Sequence, residues 1–179
     1  MDTSSDRPSI LLDTMIVAGI YAAAKVGDAE NLLASQTEWR RIVKSLIEKA
    51  ELKNIKLVIP RPVFYELMSM NKTWYDYVIE REKNPIFNTS TETISDEILK
   101  RASLYAHECR AQFGQDDGKL KSYDPLIAAY AAEAHGYVIT ENQKDFSESH
   151  FQVVAIDTAI LKGKDVKGRR IIFLLKSRT

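Results

Sequence analysis

Residues Tyr123–Phe146, YDPLIAAYAAEAHGYVITENQKDF, decide how the chain is read. Asp124 followed by Pro125 is a helix start, with aspartate as N-cap and proline in the first turn, each explicable by backbone needs alone. The Ala-rich LIAAYAAEA continues that helix and lets it pack closely on a sheet, His135 and Gly136 end it, and YVIT is a short buried strand. Thr140, Asn142 and Asp145 then follow the strand, and helix-making does not account for them.

Outward from this stretch, the same alternation recurs. SILLD at 9–13 is a short apolar strand ending in an acid, and TMIVAGIYAAAK carries on as helix. Residues 29–54 space Leu32, Leu33, Trp39, Ile42, Val43, Leu46 and Ile47 as a helix does, and IKLVIP is a second strand stopped at Pro60. A helix starts at RPVFYELM with Pro62 near its first position, NPIFNTSTET at 84–93 is turn and cap material, and Ser95 caps an amphipathic helix ending near Phe113. GQDDGKLKS is a loop, and after YVIT come the strand-like FQVVAI and a last apolar run, IIFLL. Strands alternating with helices make an α/β chain around a mostly parallel sheet.

The chain has 179 residues, enough for one domain with a sizeable core. Lys plus Arg and Asp plus Glu number 25 each, so the net charge is zero, which argues against wholesale electrostatic binding to nucleic acid and leaves any basic patch local. The single cysteine, Cys109, excludes an internal disulfide framework and a cysteine-built zinc site. The polar N-terminus and the lack of an apolar run near the ~18 residues of a membrane span lead to the expectation of a cytoplasmic chain with no membrane partner.

In an open parallel sheet the ligand crevice lies beyond the C-terminal ends of the strands. Asp13 follows the first strand there, Glu66 lies one turn inside the helix after the second, Asp124 starts the helix leading into the third, and Asn142 and Asp145 follow it. Each has a bland reading: Asp13 and Asp124 as caps, Glu66 as a helix glutamate, Asp145 as a turn acid. Together they place acids after three successive strands. Carboxylates crowded into one crevice repel unless a cation neutralises them, and hard oxygen donors favour Mg²⁺ or Mn²⁺. Such a cation suits phosphodiester hydrolysis, because it activates water and absorbs charge on phosphate oxygens.

The motifs ILLDTMIVAGIY, VIPRPVFYELM and YDPLIAAYAAEAHGYVITENQKDF resemble the successive motifs of PIN domains, and specifically of VapC-type toxin ribonucleases. The resemblance covers residues 8–25, 56–70 and 120–156. It implies a single domain over 1–179 with a three-layer α/β/α fold and a central, mostly parallel sheet, the unmatched residues 73–119 forming a helical insertion. It further implies a Mg²⁺- or Mn²⁺-dependent endoribonuclease acting on RNA, partnered by a small antitoxin protein, with a homodimer left open. Asp13, Glu66 and Asp124 would be the core metal-holding acids, Thr14 and Thr140 their supporting hydroxyls. Asp145 would be the fourth acid; three residues apart, Asn142 and Asp145 share a face, and either could reach the metal directly or through water.

Two rivals remain. A PIN-like chain with catalysis lost would serve as a binding module, a reading invited by Asn142. A phosphotransfer receiver or aspartate-nucleophile phosphatase would need a second acid two residues after Asp13, where Met15 stands, or an acidic pair before it, where Leu11 and Leu12 stand. No Gly-x-Ser-x-Gly elbow, phosphate loop or dinucleotide-binding glycine turn occurs. His107, Glu108 and Cys109 are consecutive on a helix, so they diverge and form a surface patch rather than a metal site. The C-terminal LKGKDVKGRRIIFLLKSRT carries an excess of Lys and Arg, as a solvated hairpin flanking an edge strand would; the alternative is a basic rim for RNA phosphates or an acidic partner segment.

Overall fold

Ser9 and the apolar Ile10, Leu11 and Leu12 form strand β1 (Ser9–Leu12), which is flanked by parallel strands on both sides. A strand sandwiched in this way is covered on both faces, which is why its residues are apolar in succession rather than alternately. The computed structural model describes residues 8–18, 41–42, 45–46, 48–70, 87–89, 94–113, 123–162 and 167–178. After β1 come helical residues 14–18, helical residues between 41 and 52, and then β2 (Lys56–Ile59), α1 (Arg61–Met70), β3 (Phe87–Thr89) and α2 (Asp96–Phe113). Next are α3 (Asp124–Tyr130), which runs on into a π turn (Ala131–His135), then β4 (Tyr137–Thr140), a 3₁₀ turn (Gln143–Asp145), β5 (Phe151–Lys162) and β6 (Lys167–Ser177).

The sheet order is β3-β2-β1-β4-β6-β5. The first four strands run parallel, β6 is antiparallel to β4, and β5 is antiparallel to β6. The chain is therefore α/β, with an open sheet that is mixed and mostly parallel. Register sorts the core into two faces: Leu11 pairs with Val58 and Val138, while Ile10 pairs with Leu57, and Leu12 with Ile139. Helical residues Ile42, Leu46 and Ala50 lie over the face of Ile10, Leu57 and Ile139. Helix α3 with its π turn packs on β1 and β4, and α1 and α2 pack against α3. Burial of Tyr130, Ile127, Ala128 and Ala129 shows what the alanines are for: small side chains bring this helix onto its neighbours. Gly136 closes the π turn at φ +70, a left-handed conformation that glycine adopts without strain.

The structure departs from the sequence reading in three places. Asn84–Thr93 is not all turn, because Phe87–Thr89 pairs with Leu57–Ile59 as a parallel edge strand; three residues are too few to show a period. The 73–119 segment is thus not wholly helical, and its α2, capped by Ser95 Oγ accepting the Ile98 N–H at 3.2 Å, puts Ile98 and Tyr105 in the hydrophobic core. Second, the first backbone bond of α3 runs from Ile127 N to Tyr123 O, so Tyr123 occupies the cap position and Asp124 the first helical turn. Third, FQVVAI is only the start of β5, a strand of 12 residues at the sheet edge that forms with β6 the hairpin expected of the C-terminal stretch. The helices expected over 19–25, 29–40 and 71–83, the loop 114–122 and the tip of the hairpin at 163–166 lie outside the described residues.

Leu11→Ala should lower unfolding free energy by about 2–5 kcal/mol, since a fully buried leucine between two strands leaves a cavity that rigid neighbours cannot close. Gly136→Ala should cost only about 1–2 kcal/mol, because none of the described residues lies within 4 Å of the added Cβ and the penalty is left-handed backbone strain. Urea titrations of both variants check the order; an equal loss would mean that Gly136 is held by packing.

Candidate active site

The C-terminal end of β1 carries Asp13, whose N–H continues the ladder to Ile139 O at 3.0 Å and whose carbonyl accepts the first helical bond from Val17 N at 3.1 Å. The residue therefore joins strand to helix by its backbone, as the capping reading requires, while its side chain is committed elsewhere. Oδ1 accepts the Thr14 N–H at 2.7 Å, and Oδ2 accepts the Thr140 hydroxyl at 2.6 Å. Thr140 ends β4, the strand next to β1, so the bond ties two adjacent strand ends together. Thr14 turns its own hydroxyl to Glu66 Oε2 at 2.6 Å, reaching the helix that follows β2. On the other side the Thr140 hydroxyl oxygen accepts the Asn142 N–H at 2.9 Å, and Asn142 Nδ2 donates to Asp145 Oδ2.

One hydrogen-bonded chain thus runs from Glu66 through Thr14, Asp13, Thr140 and Asn142 to Asp145. It joins segments that follow β2, β1 and β4, the three neighbouring parallel strands, at their C-terminal edge. Asp13 is buried, with 5% of its surface exposed, whereas Glu66, Asn142 and Asp145 are half-buried. Burial pushes the Asp13 carboxyl up to about 6 from an ordinary 3.8; the Thr140 hydroxyl and the Thr14 N–H oppose that rise, and the charges of Asp145 and Glu66 add to it.

Asp124 lies in the first turn of α3, half-buried. Topology brings it to the same edge, because α3 leads into β4 and its N-terminus lies where β4 ends; α3 also packs against α1 and the 3₁₀ turn. The oxygen donors gathered here suit a hard divalent cation, and both Asp13 oxygens keep a second lone pair beyond the hydrogen bond each accepts. Among the described residues, however, no group of three His, Cys, Asp or Glu side chains stands within common reach of one ion. Mg²⁺ does not demand that, since it is commonly held by one or two carboxylates and keeps several waters. Asp13 and Glu66, bridged by Thr14, would supply such a pair.

A cavity of about 350 Å³ opens on the other face of the sheet, over Ile10, Leu57, Ile139 and Leu174, and none of these acids lines it. Its lining is mostly aliphatic, with Lys49, Lys53 and Asp157 as the charged members. Glu108, expected on a surface patch, is half-buried and pairs with His150 at 2.7 Å, and the His150 ring lies 4.6 Å from that of Tyr105. That contact spans 42 positions of sequence, and no local pattern announces it. Compared with known families and curated proteins, the chain matches no family model and no curated sequence.

Because the folded protein binds the Asp13 proton more tightly than the unfolded chain does, this group stabilises the fold at pH below about 4, and the contribution disappears as pH rises through 6. The span from 3.8 to about 6 corresponds to about 3 kcal/mol. In the presence of a chelator, the stability of Asp13→Asn relative to the parent should therefore increase by about 3 kcal/mol between pH 4 and pH 8. Urea unfolding at both pH values measures it; a difference independent of pH would mean that Asp13 ionises as freely as an exposed aspartate.

Proposed function

We propose that the chain is a PIN-like, Mg²⁺- or Mn²⁺-dependent endoribonuclease, and that it acts as the toxin of a VapBC-type pair. The single observation that carries the nuclease reading is the hydrogen-bonded chain from Glu66 to Asp145 across three strand ends. Asp13, Glu66, Asn142 and Asp145 in it are residues for which the motif resemblance implies a metal-holding role, Thr14 and Thr140 are the hydroxyls it implies to support them, and Asp124 stands outside the bonded chain. The three-layer PIN arrangement is the finer form of the α/β architecture described above. The toxin role and the antitoxin partner rest on the motif resemblance alone.

Asp13 and Glu66 would hold the cation, with Asp145 and Asp124 acting on it through bound water. When bound, the ion would supply an activated water and charge stabilisation for the phosphate. The chain's own part is to aim the carboxylates: Thr140 and the Thr14 N–H keep the Asp13 carboxylate from rotating, and Thr14 orients Glu66 toward it. Asp124, at the start of α3, would bring a further negative charge to the same edge of the sheet.

The dispersed placement of the acids among the described residues favours a second reading, a PIN-like binding module without catalysis. Metal linkage separates the two. Mg²⁺ at a hundredfold excess over its dissociation constant should stabilise the nuclease by about 2.7 kcal/mol, and Asp13→Asn should abolish that gain. A thermal transition unmoved by millimolar Mg²⁺ and Mn²⁺ would leave the binding module standing.

Asp124→Asn should eliminate cleavage of single-stranded RNA at saturating Mg²⁺ while costing at most about 1 kcal/mol of stability, the worth of an acid in a first helical turn. A cleavage rate equal to that of the parent would remove Asp124 from the site and reduce it to a helix-dipole residue.

A further inference from the structure

Strand β6 pairs with β4 only over residues 173–176, and its pairing with β5 continues back to Lys167. Phe173 lies opposite Thr140, the last residue of β4 and the one whose hydroxyl holds Asp13. Because β6 is antiparallel to β4, its residues 167–172 run on past the strand ends at the edge that carries the site. Among the described residues their one strand neighbour is β5, over 157–162, so the two make a two-stranded arm about 20 Å long. Its base is open to solvent, with Ile156 61% and Ile171 36% exposed.

The sequence of the arm departs from that of the chain as a whole. Lys plus Arg balance Asp plus Glu at 25 each overall, whereas residues 157–162 and 167–172 hold Lys162, Lys167, Arg169 and Arg170 against a single acid, Asp157. That acid stands opposite Ile172 and accepts the N–H of its neighbour Thr158 at 2.9 Å, so no cation of the arm is its register partner. Lys162 stands opposite Lys167, and like charges at facing positions of an antiparallel pair destabilise it. Charges on exposed strands ordinarily guard against pairing with another chain, but guarding calls neither for a single sign nor for a repulsive pair.

We infer that residues 157–162 and 167–172 form an RNA-binding arm, in which Lys162, Lys167, Arg169 and Arg170 engage the phosphates of a single strand entering the site. The inference rests on the nuclease reading above and adds to it how a chain without net positive charge holds its substrate. A run of phosphates offsets the repulsion left by the Lys162–Lys167 register, and the counterions it releases favour binding. An acidic polypeptide would match the charge as well. The place of the arm favours RNA, because the arm leaves the sheet beside Thr140 and a strand lying along it is led to the acids at the strand ends.

The test follows binding of a fluorescent single-stranded RNA to the full chain across a series of KCl concentrations, in chelator so that the strand stays intact. On a single strand each neutralised phosphate contributes about 0.7 to the slope of log affinity against log salt, so the fourfold variant Lys162→Gln/Lys167→Gln/Arg169→Gln/Arg170→Gln should have a slope shallower by about 3. Each single change to Gln should remove about 0.7, which keeps the test decisive where the fourfold variant does not fold. The charge-keeping pair Arg169→Lys/Arg170→Lys should retain the parent's slope. An unchanged slope in the Gln variants overturns the inference, and leaves the nuclease reading intact when the parent cleaves the same RNA in Mn²⁺. Gln variants that lose affinity for polyglutamate but not for RNA overturn it too, and assign the arm to an acidic polypeptide. A parent chain that neither binds nor cleaves RNA overturns both readings, a result seen before any variant is made.

Discussion

The Asp13 carboxylate, held between the Thr14 N–H and the Thr140 hydroxyl at the end of the central strand, is the constraint around which the candidate site is arranged. It sits where β1 stops and a helix starts, so its position is fixed by the sheet and not by a loop. Burial there is costly for a charge, and two hydrogen bonds offset only part of the cost, as the raised pKa records. Because Thr140 belongs to β4, the adjacent strand ends are tied by a side-chain bond as well as by the ladder bond from Asp13 N to Ile139 O. A shift of either strand would therefore move the carboxylate and its partner together.

The same arrangement explains why short, unremarkable side chains matter at this edge. Threonine places a hydroxyl one bond from Cβ, close enough to the backbone that its direction is set by the strand or helix that carries it. Thr14 uses this to reach Glu66 on α1, and Thr140 to reach Asp13 while accepting the Asn142 N–H. Longer polar side chains would carry more rotamer freedom to the same place and lose it on ordering. Precision at the site thus comes from residues that are themselves chemically inert in hydrolysis.

Much of this was legible in the sequence because strand ends and helix starts leave strong local marks. SILLD, KLVIP and YVIT are apolar runs stopped by an acid, a proline or a threonine, and the acids that follow them were placed at one edge by topology alone. Asp13, Glu66 and Asp145 are indeed brought to that edge and linked by hydrogen bonds, whereas Asp124 arrives there through the course of α3 and one position inside its cap. What escaped was whatever depends on long-range pairing. β3 is three residues long and exists only because β2 offers it an edge; the Glu108–His150 contact exists only because α2 packs near the start of β5. The direction in which the Asn142 amide points is likewise beyond spacing, because i and i+3 fix proximity and leave donor and acceptor unassigned.

The cost of Asp13 bears on the choice between a nuclease and a binding module. An amide at position 13 could accept the Thr14 N–H and meet the Thr140 hydroxyl without ever carrying charge, so it would keep the connection between strand ends and avoid a penalty of about 3 kcal/mol at neutral pH. A chain that needed only this scaffold would be more stable with asparagine. Aspartate, with the charges of Glu66 and Asp145 adding to the cost of its ionisation, is the less stable choice for a scaffold alone. Other buried acids resolve the same conflict by pairing with Lys or Arg; among the described residues the partners of the Asp13 carboxylate are a hydroxyl and an N–H, both neutral donors, which can orient it but supply no charge. A divalent cation would bring the positive charge that these two neutral donors do not, which is why we propose the metal-dependent reading ahead of the scaffold.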